Sequence, residues 1–328
     1  MPTSPVPKGL IDFIRRYQTI AIAGHLEPDG DCIGSSLALA AFLKRLGKHP
    51  ILLSQGPFKR TEIAEYAPLF SAKLDDEYKG RGDVGVIVVD CSSTDRTGSL
   101  EGEIAGLPLA IIDHHATNTD SSPETFVDAT APAAACLVQD VIEKMTGEVS
   151  SEEADFLLFA ICTDTGFFRH LDSNSSETFS RVSRLVAKGA RPKVIFAKMN
   201  GNKSLASRIL IGRSLERLTL HYEGRLAVTY QSFQDFREYG LEGRDTDSLY
   251  MLMQGIKGVK ALVVLKEEAD NKCSIGFRSF DTIDVSLVAK KFGGGGHKQA
   301  SGAYCDGSYE SLLPAIIKEF AEQMQKNK

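Results

Sequence analysis

No apolar run in these 328 residues approaches the roughly 20 needed to cross a bilayer. A membrane span is therefore not expected. The six cysteines, at positions 32, 91, 136, 162, 273 and 305, form no CxxC pair. The thiols therefore read as reduced, not as a disulfide frame or a zinc site. Residues 1–9 are Pro-rich without an apolar signal core, so an export signal is not expected and a cytoplasmic location is. Neither a GxSxG elbow nor a Walker A loop occurs, and no internal repeat or low-complexity tract is found.

What remains is an ordinary globular composition, 42% hydrophobic and 25% charged, in a chain long enough for about two domains. The net charge of −5 is unevenly spread. Residues 1–190 hold 17 Lys and Arg against 27 Asp and Glu, whereas residues 191–328 hold 21 against 16. An acidic half suits cations and a basic half suits phosphates, although uneven solvated surface would give the same count.

The hydrophobic pattern alternates strands with helices. Strands are predicted over 19–24, 51–53, 84–89 and 109–112, and helices over 10–17, 32–46, 131–145 and 178–188. A further helix, 152–164, takes Ser151 as its N-cap. Residues 54–80 show no assignable pattern. Such alternation predicts an α/β domain, with a mostly parallel sheet flanked by helices, over residues 1–190. A helical connector then covers 191–219. A smaller α/β domain follows over 220–328, with strands at 226–230, 261–265 and 273–277. A cleft is expected between the two domains.

Four polar clusters fall at the ends of these elements. Asp113-His114-His115 closes the run Leu109–Ile112, at the carboxyl end of a strand, where open α/β sheets place ligands. His25, Asp29 and Asp31 share one tight loop shaped by Pro28 and Gly30. The lesser alternative is a capped helix start with Asp29 or Asp31 as N-cap. Asp90 ends the β-branched run 84–89, and Asp164 follows the apolar stretch 156–161. Each alone is explained by a polar turn. Together His25, Asp29, Asp31, Asp90, His114 and Asp164 suffice for two divalent metal ions with a bridging carboxylate. Oxygen and imidazole donors favour manganese, iron, cobalt or zinc over calcium. Two such ions activate water and clamp a phosphoryl group without a nucleophilic Ser or Cys.

The set HLEPDGD, VVDCSSTDR, IIDHHATN and TDTGFF resembles the four motifs of the DHH phosphoesterase superfamily. The resemblance implies that His25, Asp29 and Asp90 hold one metal. Asp31, Asp90, His114 and Asp164 would hold the other, and manganese is the usual ion. It also implies that His115 faces the phosphate and that Asp113 orients a ligating histidine.

Downstream, Gly293–Gly296 and His297, then Ala300-Ser301-Gly302, offer backbone amides for an anion. Arg278 and Ser279 end a strand, and Arg278 offers a guanidinium for phosphate. These stretches resemble the DHHA1 domain, which places Arg278, Ser279, Gly294, Gly295, Gly296 and His297 against substrate. Arg169 and His170, after the fourth motif, are further substrate-binding candidates.

The pairing is similar to stand-alone nanoRNases and 3′-phosphoadenosine-5′-phosphate (pAp) phosphatases. It implies an enzyme that hydrolyses short single-stranded RNA or small nucleotides to mononucleotides. Phosphodiesterases of cyclic dinucleotides or their linear products share the architecture. A non-catalytic nucleotide sensor is the alternative from a different class. The oligomeric state, a homodimer included, is left open.

Overall fold

The computed structural model describes residues 5–115, 122–171, 175–240, 245–280 and 282–326. The Ala116–Asn118 tail of the IIDHHATN motif lies outside the described residues. The chain divides into two compact units, Met1–Asn202 and Lys203–Lys328.

The first unit runs α1 (Lys8–Arg16), β1 (Thr19–Ala23), α2 (Gly30–Arg45), β2 (His49–Leu53), β3 (Val84–Val89), α3 (Leu100–Ile104), β4 (Leu109–Asp113), β5 (Thr125–Val127), α4 (Ala134–Thr146), α5 (Ser151–Asp164), α6 (Ser176–Ala187) and α7 (Pro192–Asn200). Its five strands form one parallel sheet in the order β2-β1-β3-β4-β5. The β1 and β3 strands are buried at every residue. That explains their continuous apolar runs, since a parallel sheet covered on both faces has no polar side. From β1 the chain steps one way to β2, then crosses back to place β3 on the other side of β1. The strand order thus reverses between β1 and β3, and ligands of open α/β sheets bind at such a reversal.

Two sequence expectations shift locally. The α2 helix starts at Gly30, two residues earlier than its apolar spacing indicates, because the Asp29 carboxylate accepts the N–H groups of Asp31 and Cys32 at 3.0 and 3.1 Å. The N-cap of α5 is Ser150, not Ser151. Ser150 Oγ accepts the Glu153 N–H, and the Glu153 carboxylate accepts the Ser150 N–H at 2.7 Å, which closes a capping box. Glu153 is fully buried and also receives Arg45 Nε at 2.8 Å, so the box ties α5 to α2.

The α2 and α5 helices pack closely because α2 carries glycine where they meet. A Cβ at Gly34 would lie 2.8 Å from Ala160 Cβ, and one at Gly30 would lie 2.4 Å from Thr163 Cγ2. This brings the amino end of α2, with Asp29 and Asp31, against the carboxyl end of α5, with Asp164.

The second unit runs α8 (Leu205–Glu216), β6 (Thr219–His221), β7 (Leu226–Gln231), α9 (Phe233–Tyr239), α10 (Thr246–Gln254), β8 (Ala261–Ala269), β9 (Lys272–Ser279), α11 (Val285–Lys291), β10 (Gly295–His297), β11 (Ala300–Asp306), α12 (Tyr309–Glu319) and α13 (Ala321–Lys326). Its sheet has the order β10-β11-β9-β8-β7-β6, antiparallel except for the β7–β8 pair. Among the described residues no helix is long and apolar enough to cross a membrane.

The glycine contact yields a stability expectation. Gly34→Val forces α2 and α5 apart, and overpacking of this kind costs about 1–3 kcal/mol. Urea unfolding should show that loss, and an unchanged midpoint would mean that the helices separate freely.

Candidate metal centre

The carboxyl ends of β1, β3 and β4 converge at the reversal in strand order. The β1 strand delivers His25, β3 delivers Asp90 and β4 delivers Asp113, His114 and His115. Asp90 is 3% exposed and takes a left-handed backbone, φ 56°, directly after the last residue of β3. Its N–H still donates to Ile112 O at 2.9 Å, so the sheet holds the turn in place. One carboxylate oxygen, Oδ2, lies 3.6 Å from His25 Nε2, and the other, Oδ1, lies 3.4 Å from His114 Nε2. Asp29 Oδ1 completes the first group, 3.9 Å from His25 Nε2. Asp31 Oδ2 and Asp164 Oδ2 complete the second, 3.9 and 3.5 Å from His114 Nε2. The structure thus brings together all six residues expected at the metals.

Both imidazoles are oriented from behind. His25 Nδ1 lies 2.9 Å from Leu26 O, and His114 Nδ1 lies 3.2 Å from Ala131 O. A carbonyl can only accept, so each Nδ1 carries the hydrogen and each Nε2 is turned to the carboxylates. His115 Nδ1 bonds Asp113 Oδ1 at 2.7 Å. The fully buried Asp113 therefore braces His115, and Ala131 O performs that service for His114. Extended backbone sends residues two apart to the same side, which pairs Asp113 with His115.

The electrostatics are those of carboxylates and imidazoles crowded together. Burial raises the Asp164 carboxyl to about 6, with the negative charges of Asp90 and Asp29 adding to it against the opposing pull of His114. Asp31 is pushed well above the carboxylate range by burial and by Asp90 and Asp164. Burial alone would lower His25 and His114, but their carboxylate neighbours raise both to about 10. Asp29 is held down at about 2. Burial works against this, but the His25 imidazole, the Cys32 N–H and the nearby charge of Arg60 prevail.

A divalent ion fits this donor set. The buried Asp90 Oδ1 has no donor in hydrogen-bonding geometry. Three groups, His25–Cys32–Asp90, Asp90–His114–His115 and Asp31–His114–Asp164, each place one donor atom per residue within 4.8 Å of the others. Cys32 was not anticipated. Its one sequence signal is its place beside Asp31, and its Sγ sits where a Cβ on Gly24 would be, 2.1 Å from that point. Asp31 also caps α4, accepting the N–H groups of Ala134 and Ala135 at 2.6 and 3.1 Å, so the helix dipole helps to hold its charge.

The remaining candidates are placed differently. Arg169 Nε donates to His170 Nε2 at 3.3 Å, in a turn that follows Asp164. Among the described residues no hydrogen bond or ion pair links either of them to the six. In the second unit, Arg278 stacks 4.7 Å over the Tyr250 ring and lines a concavity of about 420 Å³ with Gly295, Lys266, Asp247 and Ser301. Ser279 departs from expectation. It is 3% exposed and its hydroxyl donates to Ile283 O at 2.7 Å, so it braces a turn and presents nothing to a ligand.

The glycine run also differs from a free anion loop. Gly294 N–H donates to Ala289 O, and Gly295, Gly296 and His297 form β10, an exposed edge strand on β11. A Cβ on Gly294 would lie 2.1 Å from Gly302 O, so close backbone approach explains that glycine.

Comparison with known proteins agrees with this architecture. The profile of the DHH family, N-terminal domain, matches residues 19–161, and that of the DHHA1 domain matches 225–326. The chain is 28% identical to the bifunctional oligoribonuclease and PAP phosphatase NrnA of Thermus thermophilus, over 92% of this chain and 90% of that protein. It is 24% identical to the cyclic-di-AMP phosphodiesterase PdeA of Listeria monocytogenes, over 89% of this chain and 45% of that one. The crystal structure of an exopolyphosphatase-related protein from Bacteroides fragilis superposes with a TM-score of 0.80 at 23% identity, covering 96% of each chain.

A pH-dependent stability test follows from Asp164. Because its folded pKa is raised, its contribution is intact below about 4 and is lost as pH rises through about 6. Asp164→Asn removes that penalty. The metal-free variant should be more stable than the parent above pH 6, by about 1–3 kcal/mol, with the advantage fading toward pH 4. Denaturation of chelator-treated protein at pH 8 and pH 4.5 reads the difference. A gain that is equal at both would remove Asp164 from the repelling cluster.

Proposed function

The chain belongs to the DHH family and carries a DHHA1 domain, and from that membership we propose that it is a two-metal phosphohydrolase of short nucleotides, with manganese as the working ion. The observation that carries the reading is Asp90. It is a buried carboxylate whose two oxygens face two separate imidazoles, each turned toward it by a backbone carbonyl. His25, Asp29 and Asp90 would hold one ion, and Asp31, Asp90, His114 and Asp164 the other. Bound there, divalent ions neutralise a phosphate and lower the pKa of water. His115 is 36% exposed, and its Nδ1 is committed to Asp113. Its Nε2 is the nitrogen left to donate to a phosphate oxygen in the transition state.

The name of the Thermus relative, aligned across both domains, supports short oligoribonucleotides and pAp as substrates; mononucleotides are the products proposed. The Listeria relative supports a second reading, hydrolysis of cyclic dinucleotides or their linear products. In the second unit, the concavity at Arg278 and Gly295, with His297 further along the same edge strand, is assigned to nucleotide binding. Six unpaired cysteines, five of them buried, support a reducing, cytoplasmic setting.

A turnover panel in manganese tests the reading, with pAp, di- to pentaribonucleotides, linear and cyclic dinucleotides, and a long single strand. Short substrates should be hydrolysed and the long strand should lag well behind. Asp90→Ala disturbs both proposed ion sites and should cut the rate by more than about 100-fold. Full activity after chelation would sink the two-metal reading.

Arg278→Ala separates binding from chemistry. Loss of one charge-assisted contact should lower kcat/KM for a dinucleotide by about 10- to 100-fold. A minimal nitrophenyl phosphodiester should suffer far less. Equal damage to both substrates would place Arg278 in the fold or at the reacting centre.

A further inference from the structure

The segment after β2, featureless in sequence, folds onto the loop that carries His25 and Asp29. Glu27 takes a left-handed backbone, φ 54°, and its N–H donates to Gly56 O at 2.9 Å. Lys59 forms an ion pair with the Glu27 carboxylate. From another side, Leu26 N–H donates to Arg96 O at 2.8 Å. The two flanking segments are also joined to each other, since Ser99 N–H donates to Gln55 Oε1 at 2.8 Å. Glycine at position 98 permits this, because a Cβ there would lie 2.5 Å from that same oxygen. Residues 25–29, 54–60 and 93–99 therefore make one connected surface beside the metal centre.

Two guanidiniums stand on that surface. Arg60 and Arg96 are both exposed. Among the described residues, neither side chain makes a hydrogen bond or an ion pair. This is notable in a region with ten more acidic than basic residues over 1–190, where an idle arginine has many carboxylates to choose from. Lys59, by contrast, is committed to Glu27. The field of Arg60 reaches the metal-facing loop, being one of the charges that hold Asp29 down. Leu26, on the same surface, is 47% exposed and offers an apolar contact. Two free forks beside an apolar side chain match a phosphorylated sugar better than a bare ion.

We propose that Arg60 and Arg96 form an anion-binding rim that takes the second, non-reacting phosphate of a nucleotide whose first phosphate lies at the Asp90 cluster. The chain would then prefer substrates with two phosphates, such as a nucleoside 3′,5′-bisphosphate or a 5′-phosphorylated dinucleotide, over those with one. The proposal rests on the phosphohydrolase reading above for the position of the first phosphate, and adds a rim that the sequence motifs do not contain as a set.

Calorimetric binding of pAp, 3′-AMP and 5′-AMP to the full chain in calcium tests it. The parent should bind pAp at least about 10-fold more tightly than either monophosphate, the scale of one charge-assisted contact. Arg60→Gln and Arg96→Gln should each shrink that ratio, and the double variant should bring it near one. Arg60→Lys should retain part of it, because charge survives while the fork is lost. A parent that binds all three alike, or a double variant that keeps the parent's ratio, overturns the rim. Parallel thermal melts show whether the variants are folded. Failure of the parent to hydrolyse any of the nucleotides in manganese would overturn the phosphohydrolase reading instead, and the binding ratio would still decide the rim.

Discussion

The burial of Asp90 between two imidazoles is the constraint around which the first unit is arranged. A carboxylate at 3% exposure, on a left-handed backbone after a fully buried strand, is costly to place. It is kept there by the parallel sheet, whose β3–β4 pairing fixes the Asp90 N–H on Ile112 O. Every other group at the centre is then fixed relative to it. The reversal in strand order puts the end of β1 next to the end of β3, and so puts His25 on one oxygen. The neighbouring strand β4 puts His114 on the other. Asp31 and Asp164 come from helices, and only the glycine-lined approach of α2 to α5 brings them close enough to join. Without cations these carboxylates repel, which raises Asp31 and Asp164. Stability is given up locally so that an ion binds into a centre already shaped for it.

Orientation of the histidines comes from backbone, not from further side chains. Leu26 O and Ala131 O each fix a tautomer with a group that cannot titrate or rotate away. The second histidine of the DHH triplet is treated differently, since its brace is a buried carboxylate. Adjacent histidines in one tripeptide are thereby turned to different partners, His114 Nε2 to Asp90 and Asp164 and His115 Nδ1 to Asp113.

The site was legible to the extent that its residues lie at ends of strongly apolar elements. The runs at 84–89 and 109–112 mark buried parallel strands by their lack of alternation, and their terminal Asp90 and His114 follow from that. Asp164 was harder, because a carboxylate at a helix end is ordinary. Its membership depends on Gly30 and Gly34, whose role is visible only once α5 lies against them. Cys32 shows the same limit, because its proximity to His25 arises from the first turn of α2 folding back under Gly24. Ser150 displaced Ser151 as a cap because the capping box with Glu153 counts from Ser150. Ser279 follows strand alternation, its side chain pointing into the unit while Arg278 points out. The glycine run was read as backbone amides free for an anion. Pairing with β11 overrode it, as tertiary context does for short edge strands. The segment at 54–60 has no periodicity at all, because its structure comes from hydrogen bonds to other loops.

The charge count of the first unit takes on a sharper meaning with the geometry in hand. An acidic half was taken to suit cations, yet the substrate proposed for it is an anion. The floor of the centre holds four carboxylates, Asp29, Asp31, Asp90 and Asp164. Two divalent ions would balance them with neutral imidazoles alongside, leaving a floor with little net charge to draw a phosphate in. Attraction for the substrate must then come from groups that are not spent on the metals. His115 would supply a donor, and in the proposed rim Arg60 and Arg96 would supply charge. The acidity of the unit as a whole therefore says nothing about how its substrate is drawn in. Four of the 27 carboxylates over 1–190 lie on the floor, where ions would cancel them, and the exposed Arg60 and Arg96 lie on the segments beside it.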